Sequence, residues 1–350
     1  MAETYRIGVL GASGYTGADL VRLAIAHPAM EITVLTANSH AGHPMAEVFP
    51  HFAFVDLPDL ATVEDADWSS VDVAVCGLPH GTAQAITKAV LDSHPQIKFV
   101  DMSADFRFRD PAVYAATYGK PHQAPELQGE AVYGLTEHYR DAIRDARLVA
   151  CPGCYPTAAL LALLPITAAG LINATDIVID AKSGVSGAGR AAKQATLFSE
   201  VGEGLSPYAV GTHRHAPEIE QEISKVASRP VTINFTPHLI PMSRGELCTA
   251  YLKLAGGATV DDVRATLAAA YRDERFVHVA PEGVLPKTQN VRGSNYCQIG
   301  VFADRVPGRV IVIAVIDNLV KGSAGQAVQN FNLMVGLDEA TGLMQQPLFP

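Results

Sequence analysis

Residues 5–25 read Tyr5-Arg6-Ile7-Gly8-Val9-Leu10, then Gly11-Ala12-Ser13-Gly14-Tyr15-Thr16-Gly17, then Ala18-Asp19-Leu20-Val21-Arg22-Leu23-Ala24-Ile25. The first block is an apolar strand, the second a glycine turn, and the third a helix ended by His27-Pro28. Glycines let the backbone approach a pyrophosphate, and the helix N-terminus that follows supplies N–H donors to it. The spacing is GxxGxxG, with Ala12 where the commoner pattern has its second glycine. Its weight comes from context: it opens the chain and is followed by a second strand, Glu31-Ile32-Thr33-Val34-Leu35. At the end of that strand, where an NAD site usually carries Asp or Glu for the ribose hydroxyl, stand Thr36-Ala37-Asn38-Ser39-His40. With no carboxylate to repel a 2′-phosphate, NADP is favoured over NAD, although no Arg is present there to clamp it.

Strand-like runs recur at Val71–Gly77, Ile97–Asp101 and Leu148–Ala150, with a helix expected over Thr82–Leu91 after Leu78-Pro79-His80-Gly81. Arg107 follows the strand ending at Asp101 and is a candidate for gripping a phosphate or carboxylate; the alternative is an ordinary arginine paired with Asp105 or Asp110. Residues 111–130, rich in Pro, Tyr, His and Gln, read as an ordered loop. Cys151-Pro152-Gly153-Cys154-Tyr155-Pro156-Thr157 then forms a turn ahead of a helix over Thr157–Leu164, with Pro156 near its first turn. Cys154 at a helix N-terminus should ionise more readily than a free thiol, as a nucleophile must; the alternative is a small buried packing residue. The C-x-x-C pair also admits redox chemistry or half a zinc site, but no second such pair completes a metal site, and none is expected.

Beyond this turn, Asp176–Ala181 reads as a strand leading into the Gly- and Ser-rich loop Lys182–Arg190, anion-tolerant by composition. Gly211-Thr212-His213-Arg214-His215-Ala216-Pro217-Glu218 is the densest cluster of ionisable side chains and enters a helix over Ile219–Val226. His213 or His215 is the natural acid/base partner for Cys154. Val231–Phe235, Leu247–Leu254, Gln298–Val301 and Val310–Ile316 succeed one another as strands of an antiparallel-type sheet, with one helix over Val260–Tyr271 and a last one over Ser323–Val335. The fold class expected is therefore an α/β Rossmann-type dinucleotide-binding domain plus an α+β substrate and dimerisation domain with a largely antiparallel sheet. The expected boundaries are 1–153 together with 318–350 for the first and 154–317 for the second.

With 350 residues, 48% of them hydrophobic, the chain can bury two cores. Net charge is −10 and the basic residues are scattered, which gives no footprint for nucleic acid or an anionic membrane. No apolar run approaches membrane-spanning length and no basic-then-apolar segment opens the chain, so a cytoplasmic protein is expected. The five cysteines are odd in number and four lie in or beside apolar runs, against a disulfide framework.

Taken together, Gly11–Gly17, Pro79-His80-Gly81, Asp101–Arg107, Pro152–Thr157, Lys182–Arg190, His213–Glu218, Phe235–Gly245 and Asp317–Gly325 resemble the N-acetyl-gamma-glutamyl-phosphate reductases, arginine-biosynthesis enzymes related to aspartate-semialdehyde dehydrogenase. The resemblance runs almost end to end. It implies NADPH-dependent reduction of an acyl phosphate to an aldehyde through a cysteine thioester, by a homodimer or homotetramer. It carries the nucleophile to Cys154 and the acid/base to His213, with substrate contacts at Arg107, Arg214, His215 and Glu218. Cofactor contacts are expected at Gly11, Ser13, Gly14, Tyr15, Thr16, Gly17, Asn38, Ser39, Pro79, Ser183, Gly184, Ser186, Gly187 and Asn318. Cys151 stands where the family usually has Asn, removing an amide that could orient the nucleophile and adding a thiol that could pair with Cys154 on oxidation. Two alternatives remain open: the same chemistry on an aminoadipyl or aspartyl phosphate, and a catalytically silent NADP(H)-binding regulator.

Overall fold

The structure, a computed structural model, describes residues 3–349. The chain divides into two compact units, Met1–Pro152 with Ser323–Met344 and Gly153–Gly322 with Gln345–Pro350. The sequence assigns residues 345–350 to the first unit. Instead Leu348 donates its N–H to the Arg292 carbonyl at 2.8 Å, within the second.

The first unit is built on seven strands: β1 (Tyr5–Leu10), β2 (Met30–Thr36), β3 (Leu60–Ala61), β4 (Val73–Cys76), β5 (Lys98–Asp101), β6 (Val132–Tyr133) and β7 (Leu148–Ala150). They lie in the order β3-β2-β1-β4-β5-β7-β6, every pair parallel. β4 and β7 are buried along their whole length, as central strands of a parallel sheet covered on both faces must be. The order reverses between β1 and β4, and the glycine turn leaves the carboxyl end of β1 at that point, where such sheets bind their ligands. The 111–130 stretch is not one loop: it contains short helices at Pro111–Tyr118 and Pro125–Gln128. Asp110 caps the first, accepting from the Ala112 N–H, with Pro111 in its opening turn.

The last helix, Gly325–Met334, is buried along its whole length in this unit. It carries amides instead of a purely apolar face. Asn330 and Gln326 donate to the Gly134 carbonyl at 2.8 and 3.0 Å, and Asn330 accepts from Thr136 at 2.7 Å. Each buried amide is thereby satisfied on at least one side.

The second unit holds β8 (Ile172–Gly184), β9 (Ser206–Pro207), β10 (Asn234–Ile240), β11 (Glu246–Leu254), β12 (Val277–Val279), β13 (Cys297–Ala303) and β14 (Arg309–Ile316). Their order is β12-β13-β14-β11-β8-β10-β9. The sheet is mixed and mostly antiparallel: only β8–β10 and β12–β13 run parallel. A long helix, Cys154–Ala168, packs on β8, β11, β14 and the helix His215–Ala227. It is apolar around its circumference and buried from Tyr155 to Leu164, which a helix needs when covered on every side.

The geometry of the glycine turn makes a direct prediction. A Cβ on Gly17 would lie 2.4 Å from the Gly11 carbonyl oxygen, whereas one on Gly14, whose φ is −85°, would meet nothing closer than 3.5 Å. Gly17→Ala is expected to cost about 1–3 kcal/mol, read as a fall in melting temperature. Gly14→Ala should stay within about 0.5 kcal/mol.

Candidate active site

In the first unit, Gly11 adopts φ +78°, which only glycine takes without strain, and its N–H and that of Ala12 both donate to the Thr36 carbonyl. This ties the turn to the end of β2. Gly14 is the N-cap of the helix Tyr15–Ile25, so the first-turn N–H groups at Tyr15, Thr16 and Gly17 lack intrahelical acceptors. Asn38 and Ser39 sit exposed in a single tight turn after β2, and Pro79 is exposed beyond β4. The cradle fits a dinucleotide: no Cβ fits at Gly17, the helix start faces an anion favourably, and the end of β2 carries no carboxylate.

Asp105 acts as a cap, accepting from Gly81 N at 2.7 Å and Ala83 N at 3.0 Å, and Tyr114 donates to it at 2.9 Å. Asp101 accepts from the N–H and hydroxyl of Ser103; burial and the nearby Asp105 push its carboxyl up to about 7. Arg107 is tied to two backbone carbonyls. Its Nε donates to the Cys151 carbonyl at 2.8 Å and its Nη2 to the Met102 carbonyl at 3.1 Å, leaving it 8% exposed. The guanidinium braces the ends of β5 and β7.

In the second unit the helix begins three residues earlier than the sequence suggests. Gly153 is the N-cap and Cys154 the first helical residue. The Gly153 N–H donates to the Glu218 carboxylate at 2.9 Å, and the Thr157 hydroxyl donates to the Gly153 carbonyl. Glu218, expected at the substrate, is 1% exposed and instead fixes the cysteine turn to the helix His215–Ala227. Gly322 sits where a Cβ would come 2.7 Å from that of Cys154, so glycine alone lets the Val320–Ala324 turn pass the thiol.

All five cysteines are free, and Cys154 alone is partly exposed. Cys151 is fully buried and receives the Asn330 amide at 3.5 Å. The expectation of a readily ionised Cys154 is reversed. The Tyr155 N–H at the helix start does favour the thiolate, but burial and the adjacent Glu246 carboxyl outweigh it and push the thiol well above its ordinary range. A helix terminus is worth about 0.3–1 kcal/mol, less than desolvation beside a like charge.

His213 lies in an aromatic box, its ring centroid 5.7 Å from Tyr155, 5.3 Å from Tyr208, 5.3 Å from Phe235 and 4.8 Å from His215. Its Nδ1 accepts the His215 N–H at 3.1 Å, which leaves the proton of the neutral ring on Nε2. Burial, helped by Arg214, pushes it down to about 4. No hydrogen bond joins His213 to Cys154 among the described residues; Tyr155 stands beside both. Arg214 is exposed.

The Ser183–Gly187 loop is braced from Asn318, whose amide donates to Ser186 at 2.9 Å and accepts from Gly245 N at 2.8 Å. Ser183 is buried, its hydroxyl donating to the Gly184 carbonyl. A Cβ on Gly184 would strike the Ser243 and Met242 carbonyls at 2.8 and 2.9 Å, and one on Gly187 the Ser183 hydroxyl at 3.0 Å. These four residues and Asn318 form one tight structural knot. Sequence reasoning missed Glu246, a carboxylate opening the otherwise apolar strand β11. It also missed Tyr208 and Phe235, which complete the box.

Residues 6–146 match the family model described as "Semialdehyde dehydrogenase, NAD binding domain" and residues 154–318 the one described as "Semialdehyde dehydrogenase, dimerisation domain". The chain belongs to the semialdehyde dehydrogenase family. Among its relatives is an N-acetyl-gamma-glutamyl-phosphate reductase of Rhodospirillum rubrum, 57% identical over 352 residues with both chains fully covered. A probable chloroplastic enzyme of that name from Arabidopsis thaliana is 57% identical over 99% of this chain and 85% of its own. In fold the chain is similar to aspartate semialdehyde dehydrogenase II of Vibrio cholerae, complexed with ASA (TM-score 0.72, 17% identity, 96% and 99% covered). It is also similar to a Candida albicans aspartate semialdehyde dehydrogenase with NADP (TM-score 0.70, 17% identity, 95% and 99% covered). No helix among the described residues is long and apolar enough to cross a membrane.

The depressed His213 predicts a pH dependence. An unfolded imidazole binds its proton near about 6.5, the folded one only at about 4. The unfolded state therefore holds more protons in between, and stability falls as pH drops through that window. His213→Gln should flatten the fall in melting temperature there.

Proposed function

We propose that this chain is an N-acetyl-gamma-glutamyl-phosphate reductase. It reduces the acyl phosphate to N-acetylglutamate 5-semialdehyde and phosphate with NADPH, as a step of arginine biosynthesis in the cytoplasm, working as a homodimer or homotetramer. The observation that carries the reading is Cys154 itself: the half-buried cysteine among five, at the first residue of a buried helix whose cap is held from Glu218.

Cys154 Sγ attacks the acyl carbon, the C–O bond to phosphate breaks, and a thioester forms. The Gly11–Gly17 turn would hold NADPH, which would supply the hydride for the thioester carbon. His213, neutral at working pH with its proton on Nε2, is suited to donate a hydrogen bond to the carbonyl oxygen as negative charge builds there. It serves as a fixed donor more readily than as a base, because protonation state and tautomer are both set by its surroundings. Arg107 supplies positive charge for the departing phosphate. The carbon–sulfur bond then breaks and releases the aldehyde.

The test runs the reaction backwards, as phosphate-dependent NADP⁺ reduction with N-acetylglutamate semialdehyde and, separately, aspartate semialdehyde. Turnover with the acetylated aldehyde that vanishes without phosphate, and falls at least about a hundredfold in Cys154→Ser, is the expected result. Turnover with the aspartyl aldehyde alone would contradict the substrate assignment, and silence with both would contradict the activity.

A further inference from the structure

We propose that Tyr208 is a positioning residue for the reaction: it turns inward from an exposed stretch of chain and, together with Tyr155, holds the His213 ring so that Nε2 keeps one direction. The inference rests on the reading of His213 as donor to the carbonyl oxygen and adds the residue that aims that donor. Residues 205–207 and 209–212 are exposed on either side of Tyr208, which alone among them is half-buried. Little ties this stretch to the sheet. Ser206 and Pro207 pair with Leu239 and His238 of β10, and the Tyr208 N–H donates to the Pro237 carbonyl at 3.1 Å. Next along the chain Ala209 takes φ +46°, a left-handed conformation that strains any residue carrying a Cβ. The Thr212 N–H closes the turn on the Ala209 carbonyl at 3.0 Å, and the chain re-enters the site at His213. Backbone strain beside a single inward side chain marks that side chain as one with a task.

The contacts say what the task is. The Tyr208 ring meets the His213 ring edge-on, with centroids 5.3 Å apart and planes at 72°, and the Tyr155 ring meets it at 5.7 Å and 82°. Edge contacts from two different elements leave the imidazole little freedom to rotate. The two hydroxyls are joined as well. Tyr208 donates to the Tyr155 oxygen at 3.3 Å, and Tyr155 donates to the His238 carbonyl at 3.4 Å. Burial pushes both phenols above their ordinary range, so each keeps the proton that this chain of donation needs. Tyr155 is also the neighbour of Cys154 in the first turn of its helix, so the hydroxyl pair ties the histidine's box to the nucleophile's helix.

The titratable and charged groups around His213 among the described residues are Tyr155, Tyr208, His215 and Arg214. None is a carboxylate that would hold a second proton on the ring. What keeps it neutral is the exclusion of water, helped by Arg214, and Tyr208 is the part of that wall contributed by the exposed stretch.

The test compares wild type, Tyr208→Phe, Tyr208→Leu and Tyr208→Ala in two readouts. One is steady-state kinetics with N-acetylglutamate semialdehyde, phosphate and NADP⁺; the other is the His213 titration by NMR, assigned with His213→Gln. Tyr208→Ala should lower kcat about 10²-fold with KM within about threefold. Its His213 titration should move up from about 4 toward about 6.5. Tyr208→Phe keeps the ring, and should hold kcat within about tenfold and leave the titration in place. Tyr208→Leu fills the space without an aromatic edge; it should keep the low titration and still lose about tenfold or more in kcat, and it carries the test if Tyr208→Ala does not fold. Wild-type kcat in both Tyr208→Leu and Tyr208→Ala, a loss carried by KM alone, or an unmoved His213 titration in Tyr208→Ala would overturn the inference and leave the activity standing. So would a Tyr208→Phe as damaged as Tyr208→Ala, which would make the hydroxyl a participant in the chemistry. Wild type without turnover would overturn the reading of the activity and this inference with it.

Discussion

A half-buried thiol next to a carboxyl group resists ionisation, and the second unit is arranged around that constraint. Gly153 caps the helix so that Cys154 occupies its first turn, and Glu218 holds the cap by its free N–H. Gly322 clears space against the Cys154 Cβ. The Tyr155 N–H draws on the sulfur, while burial and Glu246 oppose it. The net result is a thiol that stays protonated in the resting protein. A thiol so held is protected from adventitious oxidation, because the thiolate is the reactive form.

The same economy governs the histidine. An imidazole in an aromatic box, with one nitrogen already bonded to backbone, has lost both its charge and its choice of tautomer. It is preorganised to donate from Nε2.

Much of the fold was legible because it is local. The strand–turn–helix at residues 5–25 and the apolar run from Cys154 state their structure within a few residues, and Gly17 is required by a contact only six residues away. Asp110-Pro111 was an equally local helix-start signal and went unread inside a Pro-rich stretch. What could not be read depends on distant partners. Glu218 reaches the backbone of Gly153, sixty-five residues back. Arg107 finds the Cys151 carbonyl, forty-four residues on. Asn318 spends its amide on Ser186 and Gly245. The thiol's shift was read with the wrong sign for the same reason: the helix terminus is visible in sequence, and the carboxyl that overrides it lies on another strand.

The central claim is a covalent bond to one sulfur. Incubating the protein with the acyl phosphate in the absence of NADPH, quenching in acid and mapping the peptides by mass should place the acyl group on Cys154, with NADPH added before the quench removing it. An acyl group on any other residue, or wild-type protein that releases phosphate with no adduct at any time point, would contradict the account.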